Sequence, residues 1–361
     1  MKIGILTFHC AHNYGAVLQC YATQEFLKSK GYEVEIINYR PEYLLEPYRI
    51  FSTKKILSKN PVRTIKNIIF LLLTFVIKAK RWKGFERFIN NKLNISNIAS
   101  KDTIPSNYDA YIVGSDQIWN PKITEGFDGV YFCDFPFNKK SKKYIAYAAS
   151  MESAKLDNNE TDFYSKQLAN FNSISVREAQ LKDLLQPLTS TSIKQVLDPT
   201  LMVSPDVWNS FTTNKTNNEK YVVIYQVRHN QDTIRIAQDI AKQIDAKIKI
   251  LVAWPQLYKR DIYQTATPED FANIIRNAEC VVTTSFHGTA FSIIFNKPFY
   301  TIKLNDGADS RSVSLLEALN LEDRMIETNE TPIFSTIDYR LANEKLDALR
   351  QESQGFLLNN L

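Results

Sequence analysis

The residues best suited to chemistry gather where apolar runs give way to loops. His287 lies between the run Cys280–Thr283 and a helical stretch. An imidazole beside a helix N-terminus suits a phosphate or carboxylate anion, and the same ring can carry a proton. The amides of Gly288 and Thr289 are expected to point into that space. Arg177 and Glu178 follow the run Ser173–Val176, where an arginine can hold an anion through two parallel hydrogen bonds. Asp116 and Asp198 also end apolar runs, and either carboxylate can act as a base or accept a sugar hydroxyl. Residues 13–19 form a loop–helix junction resembling a phosphate site but lack the G-x-G-x-x-G of a dinucleotide site. Plainer readings stand beside each: a histidine bonded to backbone, an Arg–Glu surface pair, carboxylates capping turns. His9 and His12 flank the junction, with no third ligand to suggest a metal.

These groups need a frame that aligns strand ends. Ile3 to Phe8 reads as a buried parallel strand, 13–16 as a turn, Val17 to Lys30 as a helix stopped by Gly31, and Glu33 to Tyr39 as a second strand. This is a βαβ opening. Further strands are expected at 109–113, 144–149, 173–176 and 195–197. A second series starts at Tyr221 to Gln226, with a helix at 232–244 and a strand at 247–252. Thr267-Pro268-Glu269-Asp270 reads as a helix start. The strand 280–283, a helix at 289–295 and a helical tail at 338–358 follow. The pattern predicts an α/β chain of two Rossmann-like domains around a central cleft. The first domain spans 1–203, the second 204–335 and a terminal helix 336–361. Ligands are expected at the carboxyl edges of the strands.

The 361 residues are 44% hydrophobic and 23% charged, so the chain can fill ordinary cores. Cys10, Cys20, Cys133 and Cys280 form no C-x-x-C pair, which argues against a zinc or iron–sulfur site and against a disulfide framework. The opening residues do not read as a signal peptide, so a cytoplasmic location is expected, with the inner membrane face within reach. Net charge is +5, but residues 54–92 alone carry +10 and the rest of the chain −5. Within that segment, 68–77 reads IIFLLLTFVI, too short to span a bilayer. Two readings of 54–92 remain open: a helix or helix pair buried against the first domain, or a peripheral membrane contact. No nucleic-acid-binding module is present, and no nucleic-acid partner is expected.

Five motifs occur in a fixed order: Asn-Tyr-Gly-Ala-Val-Leu-Gln (13–19), Gly-Ser-Asp-Gln-Ile-Trp-Asn (114–120), Ser-Val-Arg-Glu (175–178), Leu-Asp-Pro-Thr-Leu (197–201) and Ser-Phe-His-Gly-Thr (285–289). Together they resemble the polysaccharide pyruvyl transferase family. The resemblance implies that the two domains take a GT-B-like arrangement. It also implies transfer of a pyruvyl group from phosphoenolpyruvate to two hydroxyls of a sugar, of galactose type, in a bacterial surface or capsular polysaccharide precursor. The product is a ketal. The implied partners are phosphoenolpyruvate and a lipid-linked or nucleotide-linked glycan, with no metal and no resident cofactor.

Carried over residue by residue, the family's histidine falls on His287 and an arginine of its Ser-x-Arg-Asp/Glu motif on Arg177. The expected donor site comprises Arg177, Ser285, His287, Gly288, Thr289 and Arg311. The expected acceptor side comprises Asn13, Tyr14, Gly15, Gln19, Asp116, Gln117 and Asp198, with Asp116 as base. One departure stands out. Relatives carry an arginine two residues before the histidine, and here that position is Ser285; Arg311 is expected to supply the charge instead. Two other readings compete: a GT-B glycosyltransferase using a nucleotide-sugar, and a non-catalytic membrane-associated scaffold for glycan assembly.

Overall fold

The computed structural model describes residues 1–137, 141–151, 156–211, 219–254 and 262–361. The chain forms two sheets with every strand pair parallel. The first contains β1 (Lys2–Leu6), β2 (Glu33–Tyr39), β3 (Ile95–Ala99), β4 (Ala110–Val113), β5 (Lys143–Ala149), β6 (Ser173–Val176) and β7 (Ile193–Gln195), in the order β3-β2-β1-β4-β5-β6-β7. The second contains β8 (Tyr221–Gln226), β9 (Lys247–Val252), β10 (Ile262–Tyr263), β11 (Cys280–Thr283), β12 (Phe299–Lys303) and β13 (Met325–Glu327), in the order β10-β9-β8-β11-β12-β13. The predicted pair of Rossmann-like units is therefore present. Central strands such as β4 and β11 are buried throughout, as strands covered on both faces must be.

Both orders reverse at their first strand, between β1 and β4 and between β8 and β11. Such switch points open a crevice beyond the carboxyl ends of the strands. The loop after β1 leads to Asn13, the loop after β4 to Asp116, and β11 to His287. Topology puts each of these segments at a carboxyl edge, and all three line one cleft.

Two helices begin earlier than the sequence suggests. Tyr14–Ser29 starts inside the expected turn, because Asn13 Oδ1 accepts from the amides of Gly15 and Ala16 and caps it. Phe286–Ile294 starts three residues before Thr289. The terminal helix Arg340–Asn359 returns to the first unit, where Ser353 Oγ accepts from the Leu197 amide at 2.9 Å and Arg350 Nε donates to the Leu201 carbonyl at 3.0 Å.

Residues 61–92 form one 32-residue helix, Pro61–Lys92, capped by Asn60 with Pro61 at its first position. Its C-terminal half buries Phe85, Phe88 and Ile89 in a core that both units share. Its N-terminal half does not bury the apolar run, and Leu72 is 70% exposed. This corrects the reading of 54–92 as a segment buried on the first domain. Among the described residues, no helix is long and apolar enough to cross a membrane.

Arg81 joins this helix to both units. Its buried Nη1 donates to Tyr14 Oη at 2.8 Å and to the carbonyls of Val252 and Gln264 at 3.2 and 3.4 Å. Tyr14 Oη in turn donates to the Ala266 carbonyl at 3.0 Å. Arg81→Met keeps the stem but orphans buried carbonyls. It is expected to cost about 2–3 kcal/mol in urea unfolding, and a cost below about 0.5 kcal/mol would refute this role for the guanidinium.

Candidate functional site

Asp198 is the centre of the constellation. Its carboxylate has no exposed surface and lies at the start of a helical turn, Pro199–Met202. Oδ1 accepts from the amide and hydroxyl of Thr200 at 2.9 and 2.7 Å. Oδ2 accepts from Arg177 Nη1 at 2.7 Å and from Ser115 Oγ at 3.2 Å, and it faces His287 Nε2 at 3.7 Å. Burial opposes ionisation here, but Arg177, His287 and Thr200 together hold the carboxyl well below the usual range. Arg177 and Asp198 belong to the first unit and His287 to the second, so the array spans the domain boundary.

His287 is the second position of its helix and lines a cleft of about 430 Å³. Gly15 supports the ring from the other unit: a Cβ built there would lie 2.0 Å from His287 Nδ1. Only a glycine lets the Tyr14–Ser29 helix approach so closely. Gly114 meets a similar demand beside Asp116, at φ +121° with a virtual Cβ 2.1 Å from the Tyr147 carbonyl oxygen. Asp116 itself is left-handed at φ 72° and lies 3.6 Å from Arg177 Nη2.

Asn13, Asp116, Gln117, Ser285, His287 and Arg311 all line the cleft. Arg311, the expected replacement for the missing family arginine, also lines a second opening of about 320 Å³. Arg177, Asp198, Lys182 and Lys194 face that opening, and Phe286 and Arg311 form the partition between the two. The Arg177 guanidinium sits 5.2 Å from the Phe286 ring centre. Arg177 Nε, Arg177 Nη2 and His287 Nε2 are buried without a hydrogen-bond partner among the described residues. Nη2 and Nε2 nevertheless face carboxylates, Asp116 Oδ1 at 3.6 Å and Asp198 Oδ2 at 3.7 Å, so Arg177 Nε is the donor left for a ligand or water to complete.

Four expected roles need correction. Tyr14 is buried at the domain interface, stacked on Phe271 at 4.6 Å, and does not reach the acceptor space. Gln19 is buried as well; it accepts from the Ser115 amide at 3.2 Å and donates to Thr7 Oγ1 at 2.7 Å, which orders the loop after β4. Asp198 is spent on Arg177, Ser115 and Thr200, so it anchors the array and does not bind an acceptor hydroxyl. Thr289 offers no free amide, because its N–H donates to the Ser285 carbonyl at 3.0 Å and its hydroxyl pairs with Thr301. The early helix start shifts the free amides to Phe286, His287 and Gly288. Gly288 itself packs on Thr283 Oγ1, which a Cβ would approach to 2.2 Å.

The sequence reading misplaced one contributor, Glu178, and missed another, Arg228. Glu178 is not a surface partner of Arg177; it is buried and accepts from Ser150 Oγ at 2.5 Å. Burial raises its pKa, partly offset by Arg177 and that hydrogen bond. Arg228 lines the cleft and donates to the Thr284 carbonyl and Asp309 Oδ1, both at 2.9 Å. It follows β8 at the same carboxyl edge, a signal that would have identified it.

A sequence model of the polysaccharide pyruvyl transferase family matches residues 13–306. This chain belongs to that family. No curated protein matches it. Solved structures similar to this polysaccharide pyruvyl transferase family member include a putative UDP-N-acetylglucosamine 2-epimerase from Listeria monocytogenes, at 11% identity and TM-score 0.48, covering 100% of this chain and 91% of that one. The UDP-GlcNAc 2-epimerase of Neisseria meningitidis bound to UDP-GlcNAc matches at 12% and 0.44, covering 99% and 100%. MurG of Acinetobacter baumannii matches at 11% and 0.37, covering 99% and 94%.

Three variants test the array. Gly15→Ala pushes the imidazole off Asp198 and is expected to lower kcat about 100-fold or more; an unchanged kcat would refute the contact. Asp198→Asn removes the buried charge closest to Arg177 and leaves it only the longer Asp116 contact, at a cost of about 3 kcal/mol near neutral pH. A depressed carboxyl stabilises the fold above its unfolded pKa and loses that contribution as pH falls. The gap to the parent in thermal melts should therefore narrow below about pH 4. Glu178 has the opposite sign: its raised pKa favours the fold in acid and costs stability as pH rises. Glu178→Gln should gain on the parent with rising pH, and a pH-independent difference would contradict this.

Proposed function

We propose that this family member transfers the pyruvyl group of phosphoenolpyruvate to two hydroxyls of one sugar, forming a cyclic ketal and releasing phosphate. The observation that carries the reading is the array at the switch points: His287 at a helix N-terminus, Arg311 on the partition, and Arg177 behind it on the second opening with its Nε unfilled. Phosphoenolpyruvate carries phosphate and carboxylate charges at neutral pH, and cations with free amides are what hold such a molecule.

The chemistry needs a proton at the enol methylene, which becomes a methyl group as the adjacent carbon turns oxocarbenium-like. One sugar hydroxyl attacks that carbon, phosphate departs with the bridging oxygen, and the second hydroxyl closes the ring. Of the two hydroxyl protons, one is balanced by the new methyl hydrogen and the other by phosphate. In this reading His287 carries the proton, with Asp198 on one side of the ring and Gly15 on the other. Asp116, less buried than Asp198, faces the cleft where the attacking hydroxyl would enter. The acceptor is a sugar of a bacterial surface or capsular glycan precursor, of galactose type. It would be carried on a lipid or a nucleotide, and the reaction takes place in the cytoplasm. No metal or resident cofactor is called on.

Purified protein with phosphoenolpyruvate and a panel of galactose-containing lipid-linked acceptors should release phosphate and add one pyruvyl ketal by mass. His287→Ala should cut this at least about 100-fold, and Arg311→Ala should raise the KM for phosphoenolpyruvate about tenfold or more. Stabilisation by a nucleotide-sugar, with none by phosphoenolpyruvate, would overturn the reading. So would an Arg311→Ala enzyme with unchanged KM.

A further inference from the structure

The Pro61–Lys92 helix carries an apolar face left largely uncovered among the described residues. Val62, Ile65, Ile69, Leu72, Leu73 and Val76 recur at three- and four-residue steps along one side, and they are 59%, 57%, 50%, 70%, 65% and 60% exposed. Monomeric proteins rarely leave so long an apolar strip in water. Ile68 and Phe75 widen it to roughly half the helix circumference at 41% and 40% exposure. Phe51, beside Phe75 at 5.7 Å, and Leu57 extend it at 65% and 64% exposure.

We infer that this face is a membrane-docking surface that lies in the interface of an anionic bilayer. Charge decides the occupant. The segment 54–92 carries +10, with Lys54, Lys55, Lys59, Arg63, Lys66, Lys80 and Lys83 all exposed around the strip. A second copy on this face would bring two such segments together and repel. An anionic lipid surface attracts them. Width agrees: a two-helix seam uses a narrow stripe of first and fourth heptad positions, whereas an interfacial helix sinks a broad face.

The placement also has a consequence for the cleft. A basic hollow of about 60 Å³ lined by His12, Arg49, Lys55, Lys78, Arg81 and Trp82 lies against the same helix. It shares Pro47, Tyr48 and Trp254 with the mouth of the cleft, and the last two stack at 5.2 Å. Docking therefore brings the mouth close to the lipid surface. The inference does not depend on phosphoenolpyruvate being the donor.

Flotation of the full chain with vesicles of phosphatidylcholine alone, or of phosphatidylcholine and phosphatidylglycerol in equal parts, tests it, with sedimentation velocity run in parallel. Binding is expected to the anionic vesicles and to be at least about tenfold weaker to the neutral ones. Leu72→Ser with Leu73→Ser should lower partitioning about tenfold or more, and reversal of Lys66, Lys80 and Lys83 to glutamate should do likewise. All five side chains are exposed, so melting temperatures should match the parent. Failure to bind anionic vesicles overturns the inference. So does binding that both variants leave unchanged, or a dimer that the serine variant dissociates in a protein that does not bind lipid.

Discussion

A carboxylate with no exposed surface must be neutralised and its lone pairs filled, or it will not stay ionised. Asp198 meets that demand with Arg177, Ser115 and the Thr200 amide and hydroxyl, and turns its remaining side to His287. Each partner is delivered by a different segment. Ser115 requires the loop after β4, which Gln19 holds. Arg177 must follow β6, and His287 must start a helix after β11 and lie flat against Gly15. The anchored charge therefore explains why the five motifs occur together, and why three of their residues, Gly15, Gly114 and Gly288, are glycines with no room for a side chain.

The two sheets convert this local demand into a global one. Each reverses its strand order once, and residues that follow both reversals, Asn13 and Asp116 from one and Arg228 and His287 from the other, line the same cleft. Arg81 and Tyr14 tie the insertion helix to both units, and the terminal helix ties the end of the chain back to the first. The Asp198–His287 contact crosses this boundary, so any relative movement of the units would change it directly.

Much of the fold was legible because parallel strands are short apolar runs with polar ends. β2, β6, β8, β9 and β11 fall at their expected residues. Helix starts were less legible, since Tyr14 and Phe286 look like turn residues until Asn13 is seen to cap one helix and Ser285 to begin the other. That error of three residues misassigned the Thr289 amide. His287, Asp116, Gln117 and Arg311, expected from type, position or resemblance, do line the cleft, and Arg177 faces the second opening. Tyr14, Gln19 and Asp198 do not hold their expected roles, because whether a polar side chain faces a cleft or a partner depends on contacts distant in sequence. Gln19 bonds to residue 115 and Tyr14 to residue 266. The apolar helix was ambiguous for a related reason, as composition does not say which face is covered.

The central claim is that the array around Asp198 forms the donor site at the N-terminus of the Phe286–Ile294 helix. A crystal structure with phosphoenolpyruvate bound tests it most directly. The account predicts the donor's oxygens within hydrogen-bond reach of His287 and Arg311, with the phosphate toward the free amides of Phe286 and His287. Phosphoenolpyruvate bound elsewhere, with His287 and Arg311 making no contact to it, would contradict the account.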